Sequence, residues 1–122
     1  MNEEGKKDLK ERTREFALRV VRLYASLPKT TVAQVLGKQV LRAGTSVGAQ
    51  YREGTRGRSD AEFVSKLEAA LQELEETQYW LELLVAERLA PSAELESLAG
   101  EANELTAILI ASVKTVKARP QQ

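Results

Sequence analysis

Four successive stretches of this chain set apolar side chains at steps of three and four residues, and proline or glycine follows each of them. The first series is Leu9, Thr13, Phe16, Val20, Leu23 and Leu27, one face of a helix with a single polar position at Thr13. Pro28 ends it, because proline disfavours helical geometry in the residue before it. Thr30 or Thr31 can then cap a second helix, whose apolar face reads Val32, Leu36, Val40, Ala43 and Val47. Gly54 and Gly57 mark the end of that helix. Its middle is small-chained, with Ala43, Gly44, Ser46, Gly48 and Ala49. Glycine inside a helix costs up to ~1 kcal/mol against alanine, so close approach of a neighbouring helix is the expected compensation.

Ser59-Asp60-Ala61-Glu62 has the form of a capping box, opening a third helix. That helix carries Phe63, Leu67, Ala70, Leu74, Thr77, Leu81, Leu84 and Arg88 in strict alternation, and Val64, Leu71 and Val85 widen the face. After Pro91, Ser92 is the expected N-cap of a fourth helix with Leu95, Leu98, Ala102, Leu105, Leu109, Ser112 and Val116. Pro120-Gln121-Gln122 reads as a frayed tail. The spacing predicts helices over about 8–27, 31–54, 59–89 and 92–118, the third spanning roughly 46 Å. Connections this short force successive helices to turn back on one another. The expected fold is all-α, an antiparallel up-down-up-down four-helix bundle, with residues 1–122 as a single domain.

What the chain lacks narrows function. It contains no histidine and no cysteine. A disulfide, a thiolate nucleophile, a Cys/His zinc site and an imidazole base are therefore all excluded. No Asp-rich cluster suggests a carboxylate-only metal site, so no catalytic, cofactor or metal residues are expected, and the chain reads as non-enzymatic. No run approaches the roughly 18 apolar residues of a membrane span, and Met1 to Lys7 has no apolar stretch behind it. A cytoplasmic protein without membrane or signal segments is expected.

Charge is balanced overall, with 18 basic and 18 acidic residues, but not along the chain. Residues 1–58 hold 13 Lys and Arg against 6 Asp and Glu, whereas residues 59–122 hold 5 against 12. Such asymmetry fits a basic face able to meet phosphate, complementary faces that meet between subunits, or separately solvated helices. On the second helix Gln39, Arg42, Ser46, Gln50 and Glu53 fall on one line beside the apolar face. They form either a hydrogen-bonded network at an interface, with Arg42 available to an anion, or a flank that water satisfies. Trp80 and Leu83 lie off the third apolar stripe and suggest a second contact surface. Arg52, Arg56 and Arg58 surround Gly54 and Gly57 ahead of a helix N-terminus, where phosphate can bind, although no nucleotide-loop spacing accompanies them.

The stretch from Gln39 to Glu53, followed by Arg58, Ser59, Glu62, Phe63, Lys66 and Leu67 and then by Ala70 to Leu84, resembles a known signature. It is that of the bacterial four-helix-bundle proteins encoded within 23S rRNA intervening sequences. The resemblance covers about 46 central residues closely and the outer helices by pattern. It implies an antiparallel four-helix bundle assembled into a ring-like homopentamer. Relatives in diversity-generating retroelements are accessory proteins that bind a reverse transcriptase and nucleic acid through a basic surface. Gln39, Arg42, Ser46, Gln50 and Glu53 match positions the family tends to keep polar, and subunit contact is the role implied for them. Gln50 stands where asparagine is common, and the net charge is zero where the nucleic-acid-binding relatives are basic. The leading expectation is thus a self-assembling interaction or accessory protein with a possible protein partner, Trp80, Leu83 and the polar stripe lying at its interfaces. The alternative is an RNA- or DNA-binding accessory protein acting with a nucleic-acid enzyme, using Arg42, Arg52, Arg56 and Arg58.

Overall fold

The computed structural model describes residues 8–120. Four helices account for most of them: α1 (Leu9–Ser26), α2 (Thr31–Thr55), α3 (Asp60–Ala86) and α4 (Ser92–Lys117). Each helix touches the next along the chain and α1 returns against α4, while the diagonal pairs α1/α3 and α2/α4 do not approach. That is the closed square of an antiparallel up-down-up-down four-helix bundle. The readings of Met1 to Lys7 and of Gln121 and Gln122 lie outside the described residues.

The apolar stripes converge on one core, in which Phe16, Val20, Leu67, Leu74, Leu81, Leu95, Leu105 and their neighbours are almost wholly shielded from water. Two threonines sit among them. Thr13 donates its hydroxyl to the Leu9 carbonyl at 2.8 Å and Thr77 to that of Glu73 at 2.7 Å. A hydroxyl bonded to its own preceding turn is buried with its donor satisfied, so both positions are tolerated in the stripe.

The helix ends explain where the structure departs from the spacing. Thr30 caps α2 by accepting from the Ala33 N–H, as expected. Ser59 accepts from the Glu62 N–H, but Glu62 returns to the N–H of Arg58 at 2.7 Å, one residue earlier than a reciprocal box requires. Ser92 is not a cap. Pro91 holds the N-cap position in extended geometry and its carbonyl accepts from Leu95, which makes Ser92 the first helical residue. At the other end of α3, Arg88 turns left-handed at φ 54°. The Leu89 N–H then reaches the Leu84 carbonyl and the Arg88 N–H that of Val85, a Schellman closure that ends the helix at Ala86 rather than 89.

Three apolar positions also move. Val32 is 54% exposed, and Ala33 and Gly37 hold the buried face at the start of α2 in its place. Val85 is 41% exposed, because Leu84 beside it takes the buried position of the last turn of α3. In α4 the buried position of the penultimate turn is Val113 rather than Ser112, since a 3.6-residue helix drifts against a strict seven-residue repeat.

Small residues on α2 meet α1. A Cβ on Gly44 would stand 2.7 Å from a methyl of Val20, and one on Gly48 would stand 3.1 Å from the Thr13 hydroxyl. The close approach expected from the sequence is therefore that of α1, and glycine is what permits it.

Candidate interaction surface

A four-helix square has four outer seams, and they differ in how far side chains within the chain close them. The α2/α3 seam carries the polar stripe predicted on α2. Arg42 donates to Glu73 at 3.2 Å and to Glu76, and Glu53 meets Lys66 at 2.7 Å. Ser46 donates to the Arg42 carbonyl of its own helix at 2.7 Å. Gln39 and Gln50 are half-buried, and Gln50 Oε1 is shielded without a hydrogen-bond partner in the chain. Arg42 is thus engaged rather than free for an anion. Its guanidinium is shifted towards the charged form chiefly by the hydrogen bond to Glu76.

Towards the end of the bundle that holds the α1–α2 and α3–α4 turns, this seam changes character. Val32 and Val35, each 54% exposed, continue the same line of α2, and Leu83 and Trp80 continue the facing line of α3. Trp80 is half-buried against the core and meets the Tyr79 ring edge-on at 5.0 Å between centroids. Its indole N–H is shielded and finds no acceptor in the chain. An indole in that state combines apolar area with an unspent donor, as interface tryptophans do.

The α1/α4 seam is closed by arginine. Arg12 grips Glu101 through two bonds, Nε to Oε2 at 2.7 Å and Nη2 to Oε1 at 3.0 Å, and also reaches Glu104. About two turns further on, Arg19 donates to Ser97 at 2.7 Å and lies 3.7 Å from Glu94. The Arg12 side chain is 18% exposed, and its guanidinium is shifted further into the charged range, first by the Glu101 hydrogen bonds. Half-buried Tyr51, at the end of α2, keeps its proton above the ordinary phenol range because burial and then the charge of Asp8 oppose the phenolate.

The α1/α2 seam is basic and open. Lys10 and Arg14 of α1 and Lys38 and Arg52 of α2 border Val21 and Leu41, and none of these cations forms an ion pair among the described residues. Arg56 and Arg58, exposed in the following turn, are likewise unpaired among the described residues. The α3/α4 seam is acidic. A shallow groove of about 380 Å³ runs between Tyr79, Val85 and Ala99, rimmed by Glu75, Glu82 and Glu96. A broader groove of about 770 Å³ at the far end of these helices has its charges spent: Lys117 pairs with Glu68 and Arg119 with Asp60.

Among the described residues no cluster of acidic side chains could hold a metal ion, and no helix is long and apolar enough to cross a membrane. The partners of the polar stripe, Glu73, Glu76 and Lys66, were hidden from a helix-by-helix reading. Their spacing matches that of Gln39 to Glu53, and only the antiparallel register of α2 and α3 makes the match visible.

Fold and surface together define a helical bundle whose polar side chains join helix to helix and whose remaining features are outward-facing seams. The chain belongs to the 23S rRNA-intervening sequence protein family, whose model matches residues 6–111. Among solved structures it is similar to a protein of unknown function from the S23 ribosomal protein family of Bacteroides thetaiotaomicron VPI-5482. That similarity is 40% in sequence identity, with a TM-score of 0.83, over 88% of this chain and 99% of the other. No curated protein matches.

Proposed function

We propose that this chain is a non-enzymatic, self-assembling interaction protein of the cytoplasm, a homo-oligomeric bundle that serves as scaffold or accessory to other macromolecules. The observation that carries this reading is the apolar end of the α2/α3 seam. Val32 and Val35 lie open to water beside Leu83 and a tryptophan whose donor is unspent. Exposed apolar side chains grouped on one face, next to a half-buried aromatic anchor, are the composition of an interface centre. A homopentamer is the assembly that the family resemblance supports.

Native mass spectrometry of protein purified without nuclease is the direct test, repeated on Val35→Glu. A homo-oligomer that Val35→Glu dissociates while helicity is kept supports the reading; a monomer at tens of micromolar overturns it. Val35 is preferred to Trp80 for the substitution because it makes no core contact whose loss would unfold the chain.

A second reading rests on Arg52, Arg56 and Arg58, which stand unpaired around the α2–α3 turn. They suit phosphate, and an accessory role beside a nucleic-acid enzyme such as a reverse transcriptase would use them. Heterogeneous, nuclease-sensitive mass on the oligomer favours this reading.

A further inference from the structure

On the α3/α4 seam the unspent charge is negative. Its shallow groove of about 380 Å³ is bordered by Glu75 and Glu82 on α3 and by Glu96 on α4. None of these carboxylates has a hydrogen-bond or ion-pair partner among the described residues. Between them the groove is apolar, lined by Val85 and Ala99, with the Tyr79 ring 53% exposed at its edge. Gln78, the other polar side chain on its wall, is spent on Asn103, to which it donates at 3.0 Å. We propose that this groove docks a basic amphipathic helix of a partner protein, apolar face inward and lysine or arginine along its flanks. This inference rests on the accessory role proposed above and gives that partner its chemistry.

Sign selects the kind of partner. Carboxylates on both walls oppose phosphate, which turns away nucleic acid and an anionic lipid surface alike. Among the described residues the carboxylates form no group that could hold a metal ion. A wholly apolar partner would cover three charges without compensating them. Cationic side chains on an apolar scaffold meet both demands, because their stems lie along apolar surface while their heads reach the glutamates. The open face of Tyr79 adds a place for a guanidinium to stack.

Spacing gives the form of the occupant. Glu75 and Glu82 are two turns apart on one face of α3, so their carboxylates recur at roughly 10 Å. Glu82 and Glu96 stand equally far from the caps of their helices, Glu87 and Pro91, and so lie at one level on opposite walls. A helix laid along the seam repeats this interval with cations at i and i+7 on one flank. A second pair at i+2 and i+9 falls on its other flank, so the match holds whichever way the helix runs. Apolar residues at i+1, i+4, i+5 and i+8 lie between the flanks and rest on Val85, Ala99 and Tyr79. Val32, Val35 and Leu83 of the α2/α3 seam take no part in this groove, which leaves them to self-assembly.

The test uses a fluorescent alanine-based helical peptide with lysine at i, i+2, i+7 and i+9 and leucine at i+1, i+4, i+5 and i+8. Anisotropy reads its binding to the full chain at about 50 mM salt, where exposed charges are weakly screened. A control peptide of the same composition carries its lysines on the face opposite the leucines. Wild-type protein is expected to bind the first peptide about tenfold more tightly than the control. Glu75→Gln/Glu82→Gln/Glu96→Gln is expected to lose about tenfold in affinity for it, the modest sum of three exposed ion pairs. All three positions are exposed, and circular dichroism verifies that the variant is folded. Equal binding of the two peptides, or of the first peptide by wild type and variant, overturns the inference. Native mass spectrometry of the variant is expected to show the wild-type size. A variant that dissociates makes the groove a contact between copies, which overturns the docking and leaves self-assembly standing. A monomeric wild type that still binds the first peptide through the three glutamates overturns self-assembly and supports the docking groove.

Discussion

Helix α1 meets its two neighbours by opposite means. Against α2 it lies close, on a floor of glycine, with Val20 and Thr13 set directly over Gly44 and Gly48. Against α4 the backbones approach least of all neighbouring pairs, and Arg12 and Arg19 reach across to Glu101, Glu104, Ser97 and Glu94. The first contact is apolar, short-range and intolerant of volume; the second is long, charged and geometric. A seam closed by arginine has its charges spent within the chain. The α1/α2 contact is made by backbone proximity instead, and its outward cations, Arg14 and Lys38 among them, form no ion pair among the described residues. For α1, the way each contact is made therefore decides which of its flanks keeps unpaired charge.

The comparison breaks most directly at Gly44. Alanine there gains helix propensity, but its methyl would stand 2.7 Å from Val20 Cγ2 and 3.0 Å from Cγ1. Valine on a helix has one strongly preferred rotamer, so the clash moves backbone instead of side chain. Gly44→Ala is expected to lower stability by about 2 kcal/mol, the usual range for overpacking. Val20→Ala is expected to cost about as much through the cavity it leaves. The double variant should fall short of the sum by about 1–2 kcal/mol, because the second change makes room for the first. Urea unfolding of the four proteins measures this, and additivity would show that proximity at Gly44 does not hold α1 to α2.

The arginine side of the comparison is weaker in energy and stricter in geometry. Arg12→Ala leaves Glu101, itself only partly exposed, without its partner, and should cost about 1–2 kcal/mol. Arg12→Lys retains the charge but not the fork that bonds both oxygens of Glu101, and should recover less than half of that loss. Full recovery by lysine would mean that charge alone, not bidentate geometry, joins α1 to α4. Both are read as shifts in urea midpoint at unchanged slope.

The sequence revealed these two contacts unequally. The glycines announced a close approach because small residues inside a helix are costly without a reason, and Gly44 and Gly48 had to face something. They did not say which helix. Arg12 gave no signal: its partners lie 89 and 92 residues away, and a long charged side chain looks the same whether solvated or paired. The polar stripe from Gln39 to Glu53 was visible as a line, but its closure by Glu73, Glu76 and Lys66 depends on the register of α2 with α3, which periodicity within one helix does not contain. The fold followed from spacing because burial of a stripe admits few arrangements of four short-linked helices. Val32 and Val85 were misplaced around the helix and not along it, since Ala33 and Leu84 beside them are fully buried, and Ser92 was misplaced because Pro91 takes the cap position.

Gly100 supplies the last and smallest test. It lies in the interior of α4, as Gly44 lies in the interior of α2, and the two are equally costly to an isolated helix. A Cβ on Gly100 would meet nothing within 4 Å. If glycine on α2 is retained for proximity, alanine must be harmful at 44 and helpful at 100, for the propensity term is the same and only the neighbour differs. Gly100→Ala is expected to raise stability by about 0.5–1 kcal/mol, the helix-propensity difference with no steric cost. A loss at 100 would show that the neighbour is not what decides the sign.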